Sequence, residues 1–217
     1  MKSVDIQITY DFICPWCWIG HSHLKTALAQ LPPDTPVAIQ YAPCELNPDM
    51  PEDGVDRKTY RSAKFGSWAR SQAMDAEAAL AGKRAGIDFR YDRVAITPNT
   101  RLAHRLMSFA AGKGDAHKTD ALFAAVFHAY FSEGRNIGNA EVLVALASQA
   151  GFDAQEVRDV MATAAGEREV AAGERQARID GIRSVPALRI GGSLISGAQP
   201  PAVFLQALQQ AAAPAVN

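Results

Sequence analysis

The stretch from Val4 to Cys17 constrains this chain most. Val4, Ile6, Ile8 and Tyr10 are apolar at every second position, the period of a strand that buries one face. Asp11-Phe12-Ile13 leads from it into Cys14-Pro15-Trp16-Cys17. Proline is favoured at the first position of a helix, where its missing N–H costs no hydrogen bond. Ile19, Leu24, Leu28 and Leu31 then recur at roughly helical spacing, and Pro32-Pro33 stops the helix. Val37, Ile39 and Tyr41 alternate again before Pro43. Strand, helix and strand in this order form a βαβ unit with two cysteines at the start of its helix.

Strand chemistry returns at the other end. Val185 to Ile190 precedes Gly191-Gly192, a hairpin turn, and Ser193-Leu194-Ile195 follows. A last helix is predicted from Pro200-Pro201 to about Gln210, with a frayed tail over Ala211 to Asn217. Between the two ends the chain reads mostly as helix. Loop signals fall at Asn47 to Gly54 and Asp92 to Pro98. Arg57 to Lys83 reads as one long Ala-rich helix, weakened in its middle by Gly66. Asn99 is placed to cap a helix running through Ala111, and Asp115 to start another carrying Leu122, Phe123, Val126, Phe127 and Tyr130. Asn139 caps a short helix ended by Gly151, Asp153 and Glu156 have the spacing of a capping box, and a polar helix runs from Glu167 to Ile179. The expected fold class is α/β, in the order βαβ, helical block, ββα. Residues 1–45 and 180–217 are expected to form one discontinuous domain. Residues 46–179 form an all-helical insertion, too long for a loop and expected to make its own small core.

Composition removes several function classes. The 217 residues carry a net charge of −1 with no basic block, so there is no footprint for nucleic acid. No run approaches the roughly 18 apolar residues of a membrane span. Met1 to Tyr10 alternates where a secretory leader would be continuously apolar, so the expected location is the cytoplasm. The three cysteines, Cys14, Cys17 and Cys44, are too few for a disulfide-stapled scaffold, and a chain of this length buries a core without staples. In a reducing compartment C-x-x-C spacing points to redox chemistry or to metal binding.

A thiolate, not a thiol, attacks a disulfide, and the unpaired N–H groups and dipole of a helix N-terminus stabilise its charge. Cys14 precedes that turn, so it is expected to be the more acidic and more exposed thiol, the nucleophile. Cys17, one turn further in, is the expected resolving thiol. A zinc site would need four ligands, usually in two pairs, and the second pair is missing, although His21 lies four residues beyond Cys17. Trp16, between the cysteines with Pro15, is expected to be exposed and to offer an apolar contact to a substrate. Trp18 and Phe12 are expected to pack inward, and Phe123, Phe127, Tyr130 and Phe131 to be core. Cys44 reads as a buried small hydrophobe, His104 as a hydrogen-bonded structural histidine, and His21 and His23 as surface residues. Pro186, just before a strand, suits a tight junction; on spacing alone it reads as an ordinary turn proline.

Asp11 to Gly20, Asn99 to Leu106, Glu133 to Ile137, Gly181 to Pro186 and Ser196 to Pro200, in this order, resemble the DsbA family in its cytosolic FrnE-like branch. The resemblance spans about Val4 to Leu208. It implies a thioredoxin-like fold with a helical insertion and a redox pair at Cys14 and Cys17. It also implies a cis proline at Pro186 facing them, keeping stray metal from the thiols, and a Val185 backbone that pairs with a substrate chain. Kappa-class glutathione transferases and 2-hydroxychromene-2-carboxylate isomerases look similar but carry Ser at the nucleophile position.

The reading is a thiol–disulfide oxidoreductase or isomerase acting on protein or small-molecule disulfides. No tightly bound cofactor is expected, glutathione is a possible co-substrate, and no nucleic acid or membrane partner is expected. An apolar face on the insertion leaves a homodimer open. The rivals are a glutathione-linked transferase or isomerase and a non-enzymatic redox-sensing or metal-binding module.

Overall fold

The computed structural model describes residues 3–213. β1 (Val4–Tyr10) turns into α1 (Pro15–Leu28), and the chain returns on β2 (Val37–Pro43). β1 and β2 pair in parallel, from Val4 beside Val37 to Tyr10 beside Pro43. A parallel pair needs a crossover, and α1 supplies it. The block that follows holds β3 (Val55–Asp56), α2 (Arg57–Phe65), α3 (Trp68–Arg84), β4 (Ile96–Thr97), α4 (Arg101–Gly112), α5 (Ala116–Phe131), α6 (Ala140–Gln149), α7 (Ala154–Met161) and α8 (Glu167–Ile179). The chain then returns to the sheet with β5 (Ala187–Ile190) and β6 (Ser193–Ser196) and ends on α9 (Pro201–Ala212). The sheet order is β2-β1-β5-β6, with β5 antiparallel to both β1 and β6. This is a thioredoxin-like α/β fold.

β1 sits at the centre. Val4, Ile6, Ile8 and Tyr10 are each at most 1% exposed, and Thr9 on the opposite face is equally buried. The strand is therefore covered on both sides, while its apolar period still marks one of them. α1 packs against α9, and α4 and α8 pack against β2. Phe123 and Phe127, one turn apart on α5, place their rings 4.7 Å from Tyr10 and 4.9 Å from Phe12. Each such buried aromatic contributes about 2–3 kcal/mol by leaving water. Most of the block's buried apolar side chains join those of the sheet in one cluster, while Ala177, Ile182 and Ala187 form a small second one.

Several expected boundaries shift for local reasons. The single helix over Arg57 to Lys83 is two. Gly66 takes φ +90°, which only glycine adopts readily, and Ser67 starts the next helix by accepting from Arg70 N. The two expected loops meet in a small ladder, Val55 with Thr97 and Asp56 with Ile96, too short to leave a period in sequence. Asn99 caps α4 from one residue further out. Its Oδ1 accepts from Arg101 N and its Nδ2 donates to the Met50 carbonyl. Asp115, Asn139 and Asp153 cap their helices as expected. Half of the expected capping box is redirected: the Glu156 carboxylate pairs with Lys113 at 2.7 Å. Ala211 and Ala212, expected to fray, belong to α9. Residues 214–217 of that tail, and Met1 and Lys2 of the leader reading, lie outside the described residues.

Candidate active site

Asp11, Phe12 and Ile13 form the turn that delivers Cys14 to the N-cap of α1. Cys14 N donates to the Asp11 carbonyl at 3.1 Å, and Cys17 N to the Cys14 carbonyl at 3.1 Å. Cys14 keeps an extended backbone, φ −94° and ψ 109°, and Pro15 occupies the first helical position. The first-turn N–H groups of α1 therefore point toward the Cys14 side. Cys14 is 6% exposed and Cys17 fully buried, so Cys14 is the accessible one. Both are free thiols. Burial pushes the Cys17 thiol well above its ordinary value, helped by its hydrogen bond with Cys14 and by the nearby Cys14 and Asp11 charges, against a backbone hydrogen bond from Asp11.

The loop before β5 faces this turn. The Cys14 thiol donates to the Val185 carbonyl at 3.6 Å, and the Val185–Pro186 peptide is cis. Gly20 eases the close approach of α1 to this loop, since a Cβ there would stand 3.3 Å from Pro186 Cγ and 3.5 Å from Ala198 Cα. Trp16 is 37% exposed beside the thiol, while Trp18 and Phe12 are buried. Pro15 and Trp16 thus line a cavity with Cys14, the Val185 carbonyl meets its thiol, and Pro186, next in sequence, packs beside Gly20.

Two histidine expectations separate. His21 is buried, not at the surface: its Nε2 meets Asp120 Oδ1 at 2.9 Å. Asp120 reaches α1 from α5 and also accepts from Lys25 Nζ at 2.7 Å and from the Tyr41 hydroxyl at 2.9 Å. Sequence spacing on α1 alone carries no sign of a partner 99 residues away. His23 is half-buried, its Nδ1 donating to the Gln199 carbonyl at 2.9 Å. His104 is a buried, hydrogen-bonded histidine, its Nε2 3.3 Å from Asp11 Oδ1. The other Asp11 oxygen accepts from Leu46 N at 2.6 Å. Cys44 is half-buried, with its thiol pushed up to about 11 by burial and by the Asp11 and Glu174 charges. It is therefore a poor nucleophile at neutral pH.

A cavity of about 140 Å³ opens beside Cys14 and Trp16. Its far wall comes from the helical block: Arg57, Tyr60 and Arg61 of α2, Asp75 of α3, and Tyr91 and Thr97. Sequence reasoning missed these residues. They lie 43 or more positions from Cys14 and share no motif, so only the folded chain brings them there. Among the described residues no helix is long and apolar enough to cross a membrane.

Comparison with known proteins adds the family. The DSBA-like thioredoxin domain matches residues 5–209. The uncharacterized protein YwbO of Bacillus subtilis is 28% identical over 211 residues, covering 95% of this chain and 96% of YwbO. The crystal structure of a probable DsbA oxidoreductase from Streptomyces coelicolor superposes with a TM-score of 0.86 at 35% identity, covering 96% of this chain and 89% of that one. The cytosolic disulfide reductase DsbM from Pseudomonas aeruginosa, in a structure with GSH, shares the fold at a TM-score of 0.63 and 18% identity, covering 96% and 95%. The chain belongs to the DSBA-like thioredoxin domain family, and it is a thiol–disulfide oxidoreductase of that family.

Proposed function

We propose that the protein exchanges disulfides with protein or small-molecule substrates through Cys14 and Cys17. The observation that carries this reading is the pairing of an accessible Cys14 at the N-terminus of α1 with a buried Cys17 one turn behind it. The Cys14 thiolate attacks one sulfur of a substrate disulfide. A Cys14–substrate disulfide forms, and the other half leaves as a thiolate that takes up a proton. Cys17 then loses its proton and attacks the Cys14 sulfur. The Cys14–Cys17 disulfide closes and the second substrate thiolate leaves, so two electrons pass from protein to substrate. The reverse sequence oxidises a dithiol.

Val185 and Pro186 bound the approach to Cys14, and the Val185 carbonyl offers an acceptor to a bound chain. Pro15 and Trp16 supply an apolar contact beside the reacting sulfur. No tightly bound cofactor enters this scheme. Glutathione serves as a co-substrate, two molecules giving up one electron each to reopen the Cys14–Cys17 disulfide. Its presence in the DsbM structure, a protein of the same fold, supports that role. DsbM is also cytosolic, which supports a cytoplasmic setting here.

The test is equilibration of the pair in glutathione buffers with thiol trapping. A reversible two-electron couple is the expected result, and its potential fixes the favoured direction. Independent trapping of both thiols with no couple sinks the reading. A glutathione adduct formed without disulfide turnover would favour the transferase or isomerase rival.

A further inference from the structure

The far wall of the cavity beside Cys14 contains charge that disulfide exchange itself does not use. Arg57 and Arg61 lie one turn apart on α2 and share a single carboxylate. Arg57 Nη2 reaches both Asp75 oxygens, at 2.9 and 2.8 Å, and Arg61 Nη2 reaches Oδ1 at 3.0 Å. Lys64 follows on the same helix and also lines the cavity, whereas Asp75 is its one acidic lining residue among the described residues. Arg57 is 4% exposed and sits 5.1 Å from the centre of the Tyr91 ring, so this positive charge is held away from water. Burial and the neighbouring Arg57 hold the Arg61 guanidinium below its usual value, with Asp75 opposing them. A buried cation excess of this kind is relieved by an anion.

A second observation is independent of charge. Asn47 Nδ2, the Tyr91 hydroxyl and Thr97 Oγ1 are buried and have no hydrogen-bond partner among the described residues, and all three residues line this cavity. Buried polar groups are nearly always paired, so three orphans at one cavity point to a ligand. All three can donate, the two hydroxyls as well as the amide. Asn47 Oδ1 already accepts from the Tyr60 hydroxyl and from Lys64 Nζ, which leaves its amide N–H₂ to donate. Hydroxyl and amide donors beside guanidinium groups suit a carboxylate. The cavity, about 140 Å³, has room for one short arm of a ligand and none for a folded polypeptide. The chain as a whole carries a formal charge of −1, so any preference for anions must arise locally.

We infer that this cavity binds the carboxylate of a low-molecular-weight disulfide or thiol, setting its sulfur against Cys14, so that the protein selects anionic small disulfides over neutral and cationic ones. The inference rests on the proposed disulfide exchange and names its small-molecule substrate class. Reduced protein gives up two electrons per disulfide: one substrate thiol leaves as the mixed disulfide with Cys14 forms, and the second as Cys14–Cys17 closes.

The experiment mixes pre-reduced protein with 3,3′-dithiodipropionate, bis(2-hydroxyethyl) disulfide or cystamine and measures thiol release in a single turnover. Each rate is divided by that of the same disulfide with dithiothreitol. The normalised rate is expected to be roughly tenfold higher for the dianion than for the neutral compound, and lowest for the dication. Arg61→Gln, which leaves Arg57 bonded to Asp75, is expected to cut the anion-to-neutral ratio roughly tenfold, and the isosteric Thr97→Val roughly threefold. Should Arg61→Gln fail to fold, Thr97→Val decides. Equal normalised rates for the three compounds, or a preference untouched by the substitutions, overturn the inference while leaving disulfide exchange standing. No thiol release from any of them overturns both.

Discussion

The Cys14 sulfur lies 3.6 Å from the Val185 carbonyl, across a loop 171 residues away in sequence. That contact sets the accessible thiol against the loop that carries Pro186, with Cys17 sealed behind it. Cys14→Ser is therefore expected to abolish mixed-disulfide formation and to lower turnover by at least about a thousandfold, the scale on which loss of a nucleophile acts. Cys17→Ala is expected to keep the first attack and to accumulate the mixed disulfide. Mass spectrometry of quenched reactions reads both. Accumulation in Cys14→Ser but not in Cys17→Ala would reverse the assigned roles.

The raised value of the Cys17 thiol has a kinetic consequence. In the mixed disulfide the Cys14 charge is gone, but burial, the largest cause, remains. Cys17 must still lose a proton before it attacks, and a raised value means little thiolate at neutral pH. Resolution is expected to speed up about tenfold per pH unit from pH 6 to 8, with the mixed disulfide persisting longest at the acid end. Rapid-quench measurement of its lifetime checks this. A lifetime independent of pH would mean that deprotonation of Cys17 does not limit the step.

Features whose causes are local were legible in the sequence. The apolar period of β1, the proline after Cys14, and the caps at Asp115, Asn139 and Asp153 each depend on a few neighbouring residues. Phe123 and Phe127 were readable as core because one helical stripe carries both. Features made by the meeting of distant segments were not. His21 looks like a surface residue on α1 until Asp120 arrives from α5. The Arg57–Asp75–Arg61 cluster joins α2 to α3 only because Gly66 breaks the helix between them and lets the chain double back. Gly66 alone reads as a weak point within one helix. Its pairing with Ser67, a helix stop followed by a start, was the signal that could have separated the two helices.

Asp120 ties three elements together through His21 and Lys25 on α1 and Tyr41 on β2. Although burial pushes its carboxyl up, the hydrogen bonds from His21, Lys25 and Tyr41 and the nearby His21 charge outweigh that and hold it well below its ordinary value. A depressed carboxylate stabilises the fold fully above its unfolded value of about 3.9. The contribution is lost as pH falls from there through the lower folded value. Asp120→Asn is expected to cost roughly 1–2 kcal/mol at pH 7 by weakening charge-assisted hydrogen bonds. Thermal or urea melts of both proteins at pH 7 and below pH 4 check the sign, since the gap between them should shrink in acid. A gap that widened in acid would contradict the assignment.

Gly20 controls how closely α1 rests on the loop that carries Pro186. Its missing Cβ would stand 3.3 Å from Pro186 Cγ and 3.5 Å from Ala198 Cα, with Ala198 Cβ at 3.6 Å. Two effects compete in Gly20→Ala. A helix interior gains about 1 kcal/mol when alanine replaces glycine, while the tight contact requires Pro186 to give by a few tenths of an ångström. The expected result is a change within about 1 kcal/mol. Gly20→Val adds two further methyl groups to an already tight Cβ position, and overpacking of this kind costs about 1–3 kcal/mol. Relief of that clash moves the Pro186 loop away from α1, and Val185 with it, so mixed-disulfide formation at Cys14 should slow in Gly20→Val far more than in Gly20→Ala. Melts and single-turnover rates on the two variants measure both effects. If Gly20→Val proves as stable and as fast as the parent protein, the contact between α1 and the proline loop does not hold the site together.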